Sequence, residues 1–285
     1  MIGTDAIPAN MSARRPTIGV FDSGFGGLTV LKALLELIPD ADYIYFGDTA
    51  RLPYGSKSVE TVARYAVEAA HYLEARGAQL LVIACNTATA LALDRIIAAA
   101  RVPVVGVVEP GAAAAAAASG NKRVVVIGTE ATVSSHAYHR ALESRGLDAR
   151  EKACPLLVPL VEEGWIDHPV TEEVAGIYLD EAFADGFREA DVLLLGCTHY
   201  PLLKPLLRRV APPHVSIVDS AESTARAVAS HLQTMLVRAS AVHEERRARP
   251  RLKFFATDSV EKFRRLGERF LGHPIEDVQH VDLKE

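Results

Sequence analysis

Three cysteines occur in the 285-residue chain, Cys85, Cys154 and Cys197, and two of them share a setting. Cys85 follows the apolar run Leu80–Ala84 and precedes Asn86-Thr87. Cys197 follows Asp191–Leu195 and Gly196, and precedes Thr198-His199. An apolar run, a thiol and a polar pair thus recur in the same order 112 residues apart. A thiol at a strand end, just ahead of a helix, feels the partial positive charge of free N–H groups, which draws its pKa down from about 8.5 and favours the thiolate. Two such thiols facing each other across a cleft suit one chemistry. One removes a proton from a carbon and the other returns a proton to the opposite face, inverting a stereocentre. Cys154, within the apolar Cys154-Pro155-Leu156-Leu157-Val158, is read as core, because free cysteine is among the most buried residue types. No C-x-x-C spacing occurs, and Cys197 with His199 is too small a ligand set for structural zinc, so no metal is expected.

A second cluster of chemistry lies in Asp22-Ser23-Gly24-Phe25-Gly26-Gly27, between an apolar run and an amphipathic stretch. Three glycines bring backbone N–H groups near a helix start, where an anion binds readily; a tight strand-to-helix turn explains them equally well. The spacing breaks the G-x-G-x-x-G nucleotide fingerprint, and no P-loop occurs. Asp22, at a strand end, is placed to engage a substrate ammonium group or a thiol.

The elements that must position these groups alternate short apolar runs with longer helical stretches, the pattern of an α/β fold with mostly parallel sheets. Strands are predicted over Thr17–Phe21, Tyr43–Phe46, Leu80–Ala84, Val104–Val108, Arg123–Ile127, Asp191–Leu195, Ser216–Asp219 and Leu252–Ala256. Helices are predicted over Leu28–Ile38, Ser58–Arg76, Ser134–Ser144, Glu172–Phe187, Ala221–Arg238 and Val260–Leu271. Gly128–Thr132 reads as a loop, Val242–Arg251 as a charged surface loop and the alanine run Ala112–Ala118 as a packed helix. The repeated thiol signature implies an internal duplication: two similar α/β domains related by a pseudo-two-fold, with the site in the cleft between them. Residues 1–16 form an extension. The first domain is expected over 17–110 plus 221–285, the tail packing back onto it, and the second over 111–220.

Composition agrees. The chain is 49% hydrophobic and 24% charged, as in a globular protein. Thirty-one Lys and Arg against 36 Asp and Glu give a net charge of −5, which argues against nucleic acid as a partner but not against a small anionic substrate. No apolar run approaches the roughly 18 residues of a membrane span. The first residues lack a secretory h-region. An odd, low cysteine count fits a reducing cytoplasm.

These stretches together resemble the glutamate racemases of the aspartate/glutamate racemase superfamily. The resemblance is carried by Gly19–Val30, Gly47–Gly55, Ile83–Ala88, Ile127–Thr129 and Leu195–Leu202, in order along nearly the whole chain from residue 17. It implies a cofactor-independent enzyme interconverting L- and D-glutamate to supply peptidoglycan synthesis. Cys85 would deprotonate the D-enantiomer and Cys197 the L-enantiomer. Substrate contacts would come from Asp22, Ser23, Tyr54, Gly55, Asn86, Thr87, Thr198 and His199. Asp22 and His199 would tune the thiols, with Glu162 or its neighbour Glu163 as a further auxiliary group. The family fold has a discontinuous first domain, and homodimers are common in it. Three other readings stay open on the residues: the same chemistry on aspartate, a two-domain small-anion binder, and a thiol hydrolase built on Cys197 and His199.

Overall fold

The computed structural model describes residues 15–238 and 250–283. The extension expected over 1–16 lies outside the described residues except for Arg15 and Pro16, as does most of the loop expected over Val242–Arg251.

Ten strands form two sheets among the described residues: β1 (Thr17–Asp22), β2 (Asp42–Gly47), β3 (Leu80–Ile83), β4 (Val104–Gly106), β5 (Arg123–Gly128), β6 (Asp148–Ala153), β7 (Val192–Gly196), β8 (Ser216–Asp219), β9 (Leu252–Ala256) and β10 (Val278–His280). The first sheet has the order β10-β9-β2-β1-β3-β4 and the second β6-β5-β7-β8, with every pairing parallel. The order β2-β1-β3-β4 is repeated by β6-β5-β7-β8, so β3 and β7, which end at the two thiols, hold equivalent places. β3 and β7 are buried throughout, as parallel strands covered on both faces must be. The tail returns to the first sheet: β9 pairs with β2 and β10 with β9. Helix Ser220–Arg238 packs against both Leu28–Leu37 and Val108–Ala118, bridging the two units.

Local chemistry sets the helix ends. Ser58 caps Val59–Ala75 by accepting from the Thr61 N–H, and Gly77, with φ of 92°, closes that helix in the left-handed region. Several boundaries differ from the sequence expectation. β4 ends at Gly106; Val107 and Val108 turn into the helix Val108–Ala118, which buries Ala112 and Ala115. Gly128–Thr132 is no loop: Thr129 caps a short helix, Glu130–Ser134, whose side-chain oxygen accepts from the Thr132 N–H. The left-handed His136 then breaks the chain, so the next helix covers only Ala137–Glu143. The helix expected over Glu172–Phe187 runs from Pro169 to Ala182, with proline suited to its first turn. Strands β6 and β10 escaped the sequence reading. Both lie at sheet edges, and β6 reads Asp-Ala-Arg-Glu-Lys-Ala, charged residues that guard an edge and give no apolar run.

Candidate active site

The carboxyl ends of both sheets meet at a cavity of about 400 Å³. Its wall takes Ser23 and Gly24 from the loop after β1, Tyr54 and Gly55 from the turn after β2, and Cys85, Asn86 and Thr87 from the end of β3. The second unit supplies Thr129, Glu130, Glu162, Cys197, Thr198 and His199. Among the described residues, no Lys or Arg lines it. The structure therefore brings together every residue expected at the site except Asp22 and Glu163. Asp22 is fully buried one layer behind, and Glu163 is exposed just beyond the helix Leu157–Glu162.

The two thiols have different neighbours. Cys85 caps the helix Asn86–Ala99: its Sγ accepts from the Ala88 N–H at 3.4 Å and donates to Ser23 Oγ at 3.5 Å. The expected fall in its pKa does not occur. Burial, with the Asp22 carboxylate behind it, pushes the thiol up to about 12, outweighing Ser23 and the helix N–H. Cys85 therefore rests as a thiol, and its thiolate, once formed, is a strong base. Cys197 is followed by a tight turn, Tyr200–Leu203, before the helix Lys204–Val210, so its sulfur caps nothing. It faces His199 Nδ1 at 3.9 Å instead. The thiols remain 5% and 6% exposed at the cavity wall, whereas Cys154 is fully buried in the core, as its apolar context required.

His199 lies between the Cys197 sulfur and a carboxylate. Its Nε2 lies 3.4 Å from Glu162 Oε1, and Glu162 Oε2 lies 3.2 Å from Lys262 Nζ. Burial opposes the imidazolium, but the Cys197 sulfur, Glu162 and the Asp22 charge push His199 up to about 10. Burial likewise opposes the Glu162 carboxylate, which His199 and Lys262 together hold below its usual range. Phe270 meets the imidazole edge-on, with centroids 5.3 Å apart.

The glycine loop serves its own carboxylate. Asp22 Oδ2 accepts from the Gly24 N–H at 2.9 Å and Oδ1 from Thr198 Oγ1 at 3.4 Å. Burial nonetheless raises the Asp22 pKa. The group held by the loop is thus the Asp22 carboxyl, and the glycines are needed for close approach. A Cβ on Gly27 would fall 2.5 Å from Asp22 Cβ, and one on Gly26 only 2.3 Å from Thr198 Oγ1.

Hydroxyls and amides tie the two units over the cavity. Thr87 Oγ1 lies 2.9 Å from Thr129 Oγ1 and 3.2 Å from Thr132 Oγ1. Tyr138 Oη donates to Asn86 Oδ1 at 2.6 Å. That leaves the buried Asn86 Nδ2 without a hydrogen-bond partner among the described residues, in a side chain that lines the cavity. Tyr54 is held by donating to Asp48 Oδ2 at 2.5 Å, while Thr257 Oγ1 donates to the other Asp48 oxygen at 2.9 Å. Asp48, Thr132, Tyr138 and Lys262 were not singled out by residue reasoning. Asp48 fell within one resembling stretch, but nothing in the sequence marks a lysine on an amphipathic tail helix.

Residues 18–228 match the Asp/Glu/hydantoin racemase family. The glutamate racemase of Koribacter versatilis is 62% identical over 96% of this chain and 99% of its own. Among solved structures, the glutamate racemase of Thermus thermophilus, in complex with β-chloro-D-alanine, is 46% identical with a TM-score of 0.82, covering 95% of this chain and 98% of that one. That of Francisella tularensis, in complex with D-glutamate, is 34% identical with a TM-score of 0.84, covering 94% and 98%. Family, sequence and fold agree over nearly the full length: this chain belongs to the Asp/Glu/hydantoin racemase family, among its glutamate racemases.

Proposed function

We propose that the protein interconverts L- and D-glutamate by proton transfer between two cysteines, Cys197 and Cys85, with no cofactor required. The observation that carries this reading is that two thiols, from equivalent strand ends of two units, line one cavity with different charged partners. Cys197, beside the His199 imidazolium, takes the Cα proton of L-glutamate as a thiolate, and the C–H electron pair stays on the substrate as a carbanion delocalised into its carboxylate. Cys85, resting as a thiol, delivers its proton to the opposite face. D-glutamate leaves with Cys85 as thiolate and Cys197 as thiol, and the reverse reaction begins from that state. Asn86, Thr87, Thr198, Ser23, Tyr54 and the Gly55 backbone supply neutral donors to the substrate carboxylates and the developing charge, which such fixed dipoles stabilise most in a dry site. Asp22 and His199 tune the two thiols, and Glu162 supports His199.

The same reading assigns residues 17–110 with 221–285 to one domain and 111–220 to the other, closing on the substrate between them. D-glutamate production would supply peptidoglycan synthesis. The free state of both thiols is required, which fits a reducing cytoplasm; a homodimer accords with the family resemblance. Among the described residues, no helix is long and apolar enough to cross a membrane.

The test is incubation with L-glutamate in D2O without added cofactor. Deuterium enters at Cα as optical rotation decays, and aspartate is not turned over. Cys85→Ala and Cys197→Ala each abolish racemisation; full activity in either single variant would sink the two-base mechanism. Exchange on aspartate alone would select the shorter substrate.

A further inference from the structure

Lys262 stands on helix Val260–Leu271, which connects β9 to β10 of the first sheet and packs against Leu28–Leu37 of the same unit. Its Nζ nevertheless reaches Glu162 Oε2 in the second unit, at 3.2 Å. An exposed ion pair contributes little by itself. This one differs in what surrounds it. Glu162 is only 14% exposed in its side chain and divides its two oxygens between Lys262 and His199. The ammonium also lies over the Phe25 ring, 5.5 Å from its centroid, in the loop after β1. The same helix sends Phe270 against the edge of the His199 imidazole. One tail helix therefore contacts both members of the pair behind Cys197, whereas the charged group that acts on Cys85 is the Asp22 carboxyl.

We propose that Lys262 is a positioning residue for the Cys197 half of the site, holding Glu162 so that one carboxylate oxygen stays on His199 and the imidazole stays against the Cys197 sulfur. The proposal rests on the two-thiol reading above. Lys262 touches no substrate; it acts through Glu162. Without it, the carboxylate is free to turn towards the cavity or solvent, and the imidazole loses its fixed partner. General acid–base groups lose rate when their alignment is lost, and a group acting through one of them accounts for part of that loss.

The enantiomers have equal free energy in water, so kcat/KM is the same in both directions for any variant and cannot report on one half of the site. Primary isotope effects can. With α-deuterated L-glutamate the labelled proton goes to Cys197; with α-deuterated D-glutamate it goes to Cys85. Lys262→Met is expected to lower kcat for L-glutamate about tenfold with KM changed less than threefold. Its isotope effect on kcat/KM should rise with the L-substrate and fall towards unity with the D-substrate. Lys262→Arg restores at least half of the lost rate. In a Glu162→Gln background, Lys262→Met changes kcat less than twofold, because partners acting as a unit are not additive. Equal losses in both backgrounds, isotope effects that move together for both substrates, or a Lys262→Arg protein as slow as Lys262→Met would each overturn the proposal. Thermal melts of all variants separate loss of the tie between units from loss of alignment. Full racemisation activity in Cys85→Ala or Cys197→Ala would instead refute the underlying two-thiol reading.

Discussion

Gly26→Ala is the substitution whose consequence can be worked most directly from the structure. Gly26 has a backbone conformation open to any residue, so alanine brings no intrinsic strain there. The added Cβ, however, would lie 2.3 Å from Thr198 Oγ1 and 2.7 Å from His199 Nδ1, about 1.1 and 0.7 Å short of an ordinary 3.4 Å contact. The three-residue segment Cys197–His199 is anchored in turn by Thr198 Oγ1 on Asp22 and by Thr29 Oγ1 on the Thr198 carbonyl, so it cannot yield without moving the sulfur or the imidazole. Overpacking of this kind costs about 1–3 kcal/mol in stability. A displacement near 1 Å at a reacting group costs about 100-fold in rate. The expected outcome is a folded protein with a lower melting temperature and kcat reduced about 100-fold, measured by the decay of optical rotation. Gly176→Ala is the control: its Cβ would meet only Val210 Cγ1, at 3.6 Å, in mid-helix, so activity is unchanged and stability rises by up to about 1 kcal/mol. A Gly26→Ala protein retaining activity within threefold would refute the argument that this glycine exists for close approach of the two units.

Two further outcomes follow from the charged groups. His199 is raised from an ordinary 6.5 to about 10, so its contribution to stability is full below about pH 6.5 and is lost as pH rises through about 10, with Cys85 adding a loss in the same direction between about 9 and 12. Unfolding free energies from denaturant titrations should fall from pH 6.5 to 10 by at most about 1.4 kcal/mol per pH unit for the single imidazole, and His199→Asn should flatten that slope; parallel curves for the two proteins would refute it. Tyr54→Phe removes the donor to Asp48 Oδ2 and leaves a buried carboxylate, already raised by desolvation, with one donor fewer. A loss of about 1–3 kcal/mol at neutral pH is expected, shrinking as pH falls and the carboxyl protonates, with a higher KM as the turn loosens; unchanged stability would show that Asp48 does not hold Tyr54.

The strands that carry the thiols were legible because β3 and β7 are buried on both faces and read as unbroken apolar runs. The helix over Val59–Ala75 was legible from Ser58 and Gly77, whose chemistry closes helix ends locally. The edge strands β6 and β10 were not, since β6 is mostly charged and β10 is three residues long, whereas the edge strands β4 and β8 keep short apolar runs and were read. Thr129 and His136 redirected the chain after β5 through a cap and a left-handed residue, neither of which periodicity reports. The glycine loop was open to two readings, and only the placement of Asp22 beneath its N–H groups decided between them.

Residue type and order alone determined that two thiols end equivalent strands of a duplicated α/β chain, because burial and strand period are local properties that repeat with the sequence. The protonation of those thiols was not determined that way. The helix N-terminus acts on Cys85 from its own chain segment, but Asp22 and the desolvation that overrule it come from packing across the sheet. The contacts from Cys197 through His199 and Glu162 to Lys262 join the second unit to the returning tail, with Glu162 and Lys262 100 residues apart in sequence. Electrostatic energy depends on distance and dielectric, and both are set only when the units close on one another.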